Sequence, residues 1–294
     1  MKLKDLGENR LVARLTRHLP ASADVRVGPG DDCAVIGGPR DRRWTLLKTD
    51  AVVEGIHFKP GENMERVGWK ALCRNLSDIA AMGGVPSHAL ITIAARADSS
   101  VASLDALYRG LARAATQFRT SIVGGETSRS PGPLFVSVAL TGWVERARCI
   151  LRSGGRSGDA VFVTGRLGGS LRRKHLSFIP RLAEARWLTE HFTLHAMMDV
   201  SDGVGMDLPR LAAASACGFE LWDSALPRTR GSNVEQALGD GEDFELLFTI
   251  ADSASLSLEQ KWKRAFPKLP LTRIGTLTPP SPQSRAAHGF DHFK

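Results

Sequence analysis

The chain has 294 residues, of which 43% are hydrophobic and 24% are charged, a composition typical of a globular protein with room for two domains. Lys and Arg number 39 and Asp and Glu number 31, so the formal net charge is +8. A positive net charge favours polyanionic partners such as a nucleotide or a phosphate ester. Nucleic acid is not expected as a partner, because the basic residues are scattered and the chain has one tyrosine.

The sequence predicts a cytoplasmic protein with no membrane partner. No run approaches the roughly 18 apolar residues of a membrane span, and the opening MKLKDLGENR lacks the apolar core of a signal peptide. The four cysteines are far apart, without CxxC pairs or Cys/His clusters, which argues against a zinc site or a disulfide framework.

Strand-like and helix-like segments alternate in the first half of the chain. Short β-rich runs bounded by turn residues are TLLKTD, HALITIAA and LFVSVALTGWV. Helical spacing follows Asn63, a good N-cap, and continues to Met82, where Gly83 and Gly84 predict the end. A second amphipathic helix is predicted after Ser100.

The basic, glycine-containing segment RARCILRSGGRSG then predicts a domain boundary. After it, DAVFVTG, FELLFTI and LTRIGTL indicate strands, and the residues that follow Gly203 indicate a helix. We therefore predict an α+β protein with two α/β-type halves, residues 1–148 and 149–294.

Acidic residues recur beside glycine or at the ends of apolar runs. One such residue is usually a turn or a helix cap, but several together suggest carboxylates converging on a hard cation such as Mg²⁺. The acidic residues in this pattern are Asp31, Asp32, Asp50, Asp78, Glu126, Asp199, Asp202, Glu242 and Asp243.

Three glycine-containing segments suit the phosphates of a nucleotide. Gly124-Gly125 and Gly154-Gly155 let backbone N–H groups approach an anion, and Ser201-Asp202-Gly203 opens a helix whose positive end attracts phosphate. The GxxxxGK(S/T) phosphate loop, the GxGxxG fingerprint and the protein-kinase signatures are absent. Spacing alone therefore indicates a metal-dependent enzyme of phosphate chemistry and leaves its substrate open.

The sequence resembles the thiamine-monophosphate kinases from about Gly28 to Phe293. The shorter blocks are shared with the superfamily of aminoimidazole ribonucleotide and selenophosphate synthetases, whereas the NLSDIAAMG, GEDFELLF and GFDHF blocks together are specific. The matching blocks, in order, are GDDCAV, TDAVVEGIHF, KALCRNLSDIAAMGG, IVGGET, RSGGRSGD, VFVTGRLGGS, MDVSDGVGMDL, GEDFELLF and GFDHF.

The resemblance implies ATP- and Mg²⁺-dependent phosphorylation of thiamine monophosphate to thiamine diphosphate. It implies a homodimer in which the N-terminal mixed sheets pair into a barrel, followed by a C-terminal α/β sandwich. It also implies roles for individual residues. Metal ligands would be Asp32, Thr49, Asp50, Asp78, Glu126, Asp199 and Asp202; nucleotide contacts Gly125, Glu126, Arg152 and Ser201; substrate contacts His57, Glu242 and Phe290; and catalytic residues Asp78, Arg152 and Asp202.

Four features depart from the family pattern. Lys48 stands where the family usually has a small hydroxyl residue that ligates metal, and an ammonium cannot ligate Mg²⁺. We expect Lys48 to face the site and to replace one Mg²⁺ ion. Glu126 replaces aspartate, Asp240 replaces glycine, and the segment 171–181 is shorter than usual, with an expected effect on a lid.

Two other interpretations stay open at this point. The same fold could act with ATP on another phosphorylated or amide substrate, which the acceptor-side residues would decide. The chain could also be a catalytically weak nucleotide-binding paralogue, which would bind ATP and Mg²⁺ without releasing ADP.

Overall fold

The computed structural model describes residues 2–172, 174–280 and 289. The helices are α1 Leu3–Leu6, α2 Glu8–Thr16, α3 Met64–Ala81, α4 Val101–Gln117, α5 Leu182–His191, α6 Val204–Ala214, α7 Val234–Gly239 and α8 Ser255–Ala265. The strands are β1 Val25–Val27, β2 Ala34–Ile36, β3 Arg43–Val53, β4 Val85–Ala95, β5 Ser121–Arg129, β6 Phe135–Glu145, β7 Ala160–Thr164, β8 Leu194–Asp199, β9 Gly218–Leu221, β10 Leu246–Ile250 and β11 Leu271–Thr278.

Local signals explain the two long helices of the first half, α3 and α4. The Asn63 side chain accepts a hydrogen bond from the Arg66 backbone N–H and caps α3. Gly83, with φ of 69°, follows the last turn of α3 and takes a backbone conformation that favours glycine. Helix α4 begins after Ser100 as predicted and turns its buried face, with Leu107 and Leu111, toward the core.

The N-terminal sheet is mixed and has six strands in the order β1-β2-β3-β6-β4-β5. Strands β4 and β5 are parallel and the other neighbours are antiparallel. One face packs on α3 and α4 around buried residues such as Leu72 and Ile91. The opposite face exposes Leu47, Leu90 and Phe135, so this sheet is covered on one side by its own helices.

The C-terminal sheet is antiparallel, with five strands in the order β8-β10-β7-β11-β9. One buried cluster, with Leu208 and Leu247, packs its first face against α6 and α7. A second cluster, with Phe248 and Trp262, packs the other face against α5 and α8. Helices on both faces explain why β7 and β10 are buried at every position.

These two sheets confirm the predicted α+β class and the mixed and sandwich architectures. The pairing of N-terminal sheets into a barrel and the boundary at residues 148 and 149 stay predictions. Among the helices of the described residues, none combines the length and the apolar composition that a membrane crossing requires.

Candidate active site

Helix α3 lies between the two halves of the chain and is buried almost all round. It contacts β3 and β6 of the N-terminal sheet and β8 of the C-terminal sheet. A helix in this position should be apolar on every side, yet it buries Lys70, Asn75, Ser77 and Asp78. Buried polar side chains need partners, and those of Lys70, Ser77 and Asp78 lie at the candidate site.

Three carboxylates converge where α3 meets the C-terminal sheet. Asp32 lies in the loop between β1 and β2, Asp78 on α3, and Asp199 at the end of β8. All three are buried, and one oxygen of each lies within 4.8 Å of those of the other two. Three segments that are distant in sequence thus supply a compact acidic cluster, which we call the carboxylate cluster.

Burial and mutual repulsion dominate the electrostatics of the carboxylate cluster. Burial raises the pKa of Asp78 well above its usual range, and the charges of Asp199, Asp50 and Asp32 raise it further against the lowering effect of Lys48. Burial and the Asp32 charge raise the pKa of Asp199 to about 7, although Ser77 donates a hydrogen bond to Asp199 at 2.5 Å. The cluster therefore favours a bound cation or a proton.

The donor set of the cluster fits a divalent cation. It offers three carboxylate oxygens, the ligands that Mg²⁺ and Mn²⁺ prefer. The buried Asp32 Oδ2 atom also has no hydrogen-bond partner among the described residues. A buried acceptor without a donor is rare in a folded protein, and a metal ion is one physical reason for it.

Two cationic side chains contact the cluster, and a third lies beside it. The Lys48 Nζ atom lies 2.9 Å from Asp78 Oδ1. Arg152 donates from Nη2 to Asp32 Oδ1 at 2.6 Å, and the Arg74 Nε atom lies 3.1 Å from Asp50 Oδ2. These contacts place Lys48 on the site side of β3, as the alternation of strand residues predicts.

Asp202 lies outside the carboxylate cluster. Its carboxylate is paired with Arg210, which also contacts Asp207 at 2.9 Å. The buried Asp207 accepts hydrogen bonds from the backbone N–H groups of Ser201 and Asp202, both at 3.0 Å. Asp207 therefore occupies two backbone N–H groups of the segment that we expected to attract a phosphate. Its carboxylate fixes the conformation of this loop.

The sheet register separates Thr49 and Glu126 from the cluster. Asp50 pairs with Val138, which pairs with Ile91, and these residues belong to the face that packs on the helices. Thr49 is adjacent to Asp50, and Glu126 is adjacent to Gly125, which pairs with Ile91. Because adjacent residues of a strand point to opposite faces, Thr49 and Glu126 lie on the other face. The Thr49 hydroxyl lies 3.4 Å from that of Ser137, and Glu126 is exposed.

The prediction that these two residues join the same metal cluster is therefore not met within one chain. Gly125 shares the face of Asp50 but lies three strands away, on the edge strand β5. At about 4.8 Å between neighbouring strands, this is a separation of roughly 14 Å.

Two predicted substrate residues, His57 and Glu242, meet at the buried Lys70. The Lys70 ammonium donates to the His57 carbonyl oxygen at 2.7 Å and to the Glu242 carboxylate. His175 lies 3.3 Å from the same carboxylate. Although burial alone would raise the pKa of Glu242, His175 and Lys70 lower it to about 2, so Glu242 is ionised at neutral pH. Phe290 lies outside the described residues.

The loop that carries Glu242 has an unusual backbone. Gly241, Glu242 and Phe244 have φ of 67°, 53° and 51°, in the left-handed region that non-glycine residues rarely adopt. Tertiary contacts hold it there. Glu242 and Phe244 donate backbone hydrogen bonds to Ser201 and Val200, at 2.6 and 2.8 Å. Non-glycine residues in this region are common at functional sites because the surroundings must stabilise them.

The remaining departures from the family pattern have structural partners. Asp240 accepts a hydrogen bond from the Gly169 backbone N–H at 2.7 Å. The described part of the segment 171–181 buries Leu176 and Phe178 in the N-terminal core, and Arg181 donates twice to Glu245. Packing in the N-terminal core and the contacts with Glu245 therefore anchor the described part of this segment.

Sequence reasoning did not identify Lys70, Arg74, His175, Asp207 or Arg210 as part of the site. A signal was present for the helix residues, since Lys70, Arg74 and Asp78 recur every four positions on one face of an otherwise apolar helix. No local pattern marks His175, because only the tertiary fold of its segment brings it to the site.

Comparison with known proteins gives a consistent answer. Residues 30–144 match the family model of the AIR synthase related protein, N-terminal domain. The thiamine-monophosphate kinase of Rhodopirellula baltica is 39% identical over 280 residues, covering 89% of this chain and 85% of its own. That of Bacillus subtilis is 30% identical over 329 residues, covering 98% of this chain and 100% of its own.

Two solved structures are also similar to this chain. The structure of AaThiL complexed with AMPPCP and TMP is 31% identical, covers 99% of both chains and has a TM-score of 0.85. Escherichia coli HypE, a hydrogenase maturation protein, shares the fold at 21% identity and a TM-score of 0.68, with 81% of this chain covered. The chain belongs to the thiamine-monophosphate kinase family, a family of phosphotransferases.

Proposed function

We propose that this protein transfers the γ-phosphoryl group of ATP, with Mg²⁺, to thiamine monophosphate and forms thiamine diphosphate. The observation that carries the proposal is the buried carboxylate cluster of Asp32, Asp78 and Asp199 in a chain of this family. The related structure that holds AMPPCP and TMP together supports the choice of both substrates. Nucleotide and acceptor would meet beside the cluster.

The acceptor explains why carboxylates and cations dominate the site. A phosphate monoester oxygen is already anionic near neutral pH, so the transfer needs no serine activated by a histidine. The difficulty is instead the repulsion between two phosphates, which in-line transfer must overcome through positioning and charge compensation. The carboxylate cluster would hold Mg²⁺, which would supply that charge compensation when bound.

Arg152 is suited to bind a transferring phosphate. One guanidinium nitrogen is paired with Asp32, while the buried Nε–H has no hydrogen-bond partner among the described residues. The backbone N–H of Arg152 donates to Asp31 at 3.1 Å, which holds the residue against the cluster. We assign Arg152 the role of orienting the phosphates and offsetting the charge that develops in transfer.

Glu242 and His57 are the proposed acceptor contacts. An ionised Glu242 would accept hydrogen bonds from an aminopyrimidine or balance the thiazolium charge, and Lys70 and His175 keep it ionised. The His57 Nδ1 atom accepts a hydrogen bond from the Val53 backbone N–H at 3.0 Å, which orients its ring. Stacking of Phe290 on the ring of the acceptor stays a prediction from the family resemblance.

We also propose a homodimer formed through the open face of the N-terminal sheet. That face exposes Leu47, Leu90 and Phe135, at 38%, 48% and 36%, and apolar residues grouped on one sheet face favour a protein partner. It also carries Thr49 and Glu126. We assign residues 1–148 to metal and nucleotide binding and dimerisation, and residues 149–294 to completing the nucleotide and acceptor sites.

One experiment tests the proposed function directly. Purified protein is mixed with ATP, Mg²⁺ and thiamine monophosphate, and thiamine diphosphate and ADP are measured together. Equal amounts of both products are expected, with none when Mg²⁺ is chelated. ADP formation only with another phosphorylated acceptor would favour a different substrate. ATP binding without ADP release would favour a catalytically weak paralogue.

A further inference from the structure

Lys48 lies among the carboxylates of a candidate metal site, which is an uncommon position for a lysine. It lies in the interior of β3, where its backbone pairs with Leu140 of β6. Its ammonium lies 2.9 Å from Asp78 Oδ1, and the side chain is 21% exposed. A strand position fixes the direction in which a side chain leaves the sheet, so this positive charge is built into the site.

The ionic contacts nearly neutralise the carboxylate cluster. Its three carboxylates are contacted by two cations, Lys48 on Asp78 and Arg152 on Asp32. With all groups ionised, one net negative charge is left. Neighbouring Asp50 does not add to it, because Asp50 is paired with Arg74.

This charge balance limits how many divalent ions the cluster can hold by itself. One divalent ion turns the net charge of the cluster from one negative to one positive. A second ion would leave three positive charges in a buried site, where like charges repel more strongly than in water. Lys48 also occupies one oxygen of Asp78 that a second ion would need.

We propose that the Lys48 ammonium serves as a built-in cation of the carboxylate cluster, so that the nucleotide-free protein holds one divalent ion there instead of several. The proposal deepens the proposed function and rests on its metal dependence, but not on the identity of the acceptor. Further ions would enter only with the phosphates of the nucleotide, whose negative charge compensates for them.

The test is a titration of the nucleotide-free protein with Mn²⁺, in which electron paramagnetic resonance measures the concentration of the free ion. The wild-type protein should bind one Mn²⁺ per chain at the cluster. Lys48→Met removes the positive charge that contacts Asp78, so the variant should bind Mn²⁺ about tenfold more tightly or bind a second ion. Lys48→Arg keeps the charge and should resemble the wild-type protein.

Lys263→Met is the matched control, because Lys263 is an exposed lysine on α8, and it should leave Mn²⁺ binding unchanged. Unchanged affinity and stoichiometry in Lys48→Met would overturn the proposal. Two or more ions, or none, in the wild-type protein would overturn it even if the variant fails to fold. The assay contains neither ATP nor acceptor, so an inactive enzyme with the expected Mn²⁺ result would defeat the proposed function alone.

Discussion

Lys70 on helix α3 and Glu242 on the loop before strand β10 form a buried ion pair that joins the two halves of the chain. The Lys70 side chain is 0% exposed and that of Glu242 is 16% exposed. The same ammonium also holds the His57 carbonyl oxygen. One lysine therefore links two proposed acceptor contacts.

Removing either partner of this pair should destabilise the protein because the other charge is left buried. For Lys70→Met we expect a loss of about 3 kcal/mol in the free energy of unfolding. The double variant Lys70→Met/Glu242→Gln should lose less than the sum of the two single losses. Urea unfolding of all four proteins measures this coupling, and strictly additive losses would show that the pair is not energetically linked.

The depressed pKa of Glu242 predicts how its contribution to stability varies with pH. Its pKa is about 2 in the folded protein against 4.5 for the unperturbed group. The stabilisation is therefore complete above about pH 4.5 and is lost as the pH falls from there toward 2.

Between pH 6 and pH 4, the wild-type protein should lose about 1 kcal/mol more than Glu242→Gln. Urea unfolding of both proteins at the two pH values measures the difference. Parallel losses in the two proteins would mean that the Glu242 pKa is not depressed.

Asp78→Asn should lower turnover by about a hundredfold or more while the fold stays intact. The substitution removes a charge from the carboxylate cluster, and a lost metal ligand costs charge compensation in the transition state. The fold should tolerate it, since the amide has nearly the shape of the carboxyl group and its oxygen can still accept a hydrogen bond from Lys48. The readouts are ADP release and thermal unfolding by circular dichroism.

The exposed Asp105 on α4 provides the matched control, and Asp105→Asn should keep wild-type turnover. Full activity of Asp78→Asn would remove Asp78 from the site.

Leu90→Glu should weaken the proposed homodimer. Leu90 lies on the open face of the N-terminal sheet, and a buried carboxylate at an interface carries a large desolvation cost. Light scattering coupled to size-exclusion chromatography should give a dimer for the wild-type protein and a monomer for the variant at micromolar concentration. Leu256→Glu, at an exposed leucine of α8, should stay dimeric. A monomeric wild-type protein would contradict the dimer itself.

The sequence predicted those elements that local physics specifies. Helix α3 follows its Asn63 cap and ends shortly before Gly83, and β3 contains the run TLLKTD. Caps, glycines and hydrophobic periods act over a few residues, so they can be read without the fold. The presence of Asp32, Asp78 and Asp199 among the candidate ligands also followed from the sequence.

Only the tertiary structure decided which of the candidates meet. It brings Asp32, Asp78 and Asp199 together, pairs Asp202 with Arg210 instead, and places Thr49 and Glu126 on the opposite sheet face. It also brings His175 to Glu242. Such contacts depend on strand order, register and the packing of α3 between two sheets, and these arise from interactions between residues far apart in sequence, which no local pattern encodes.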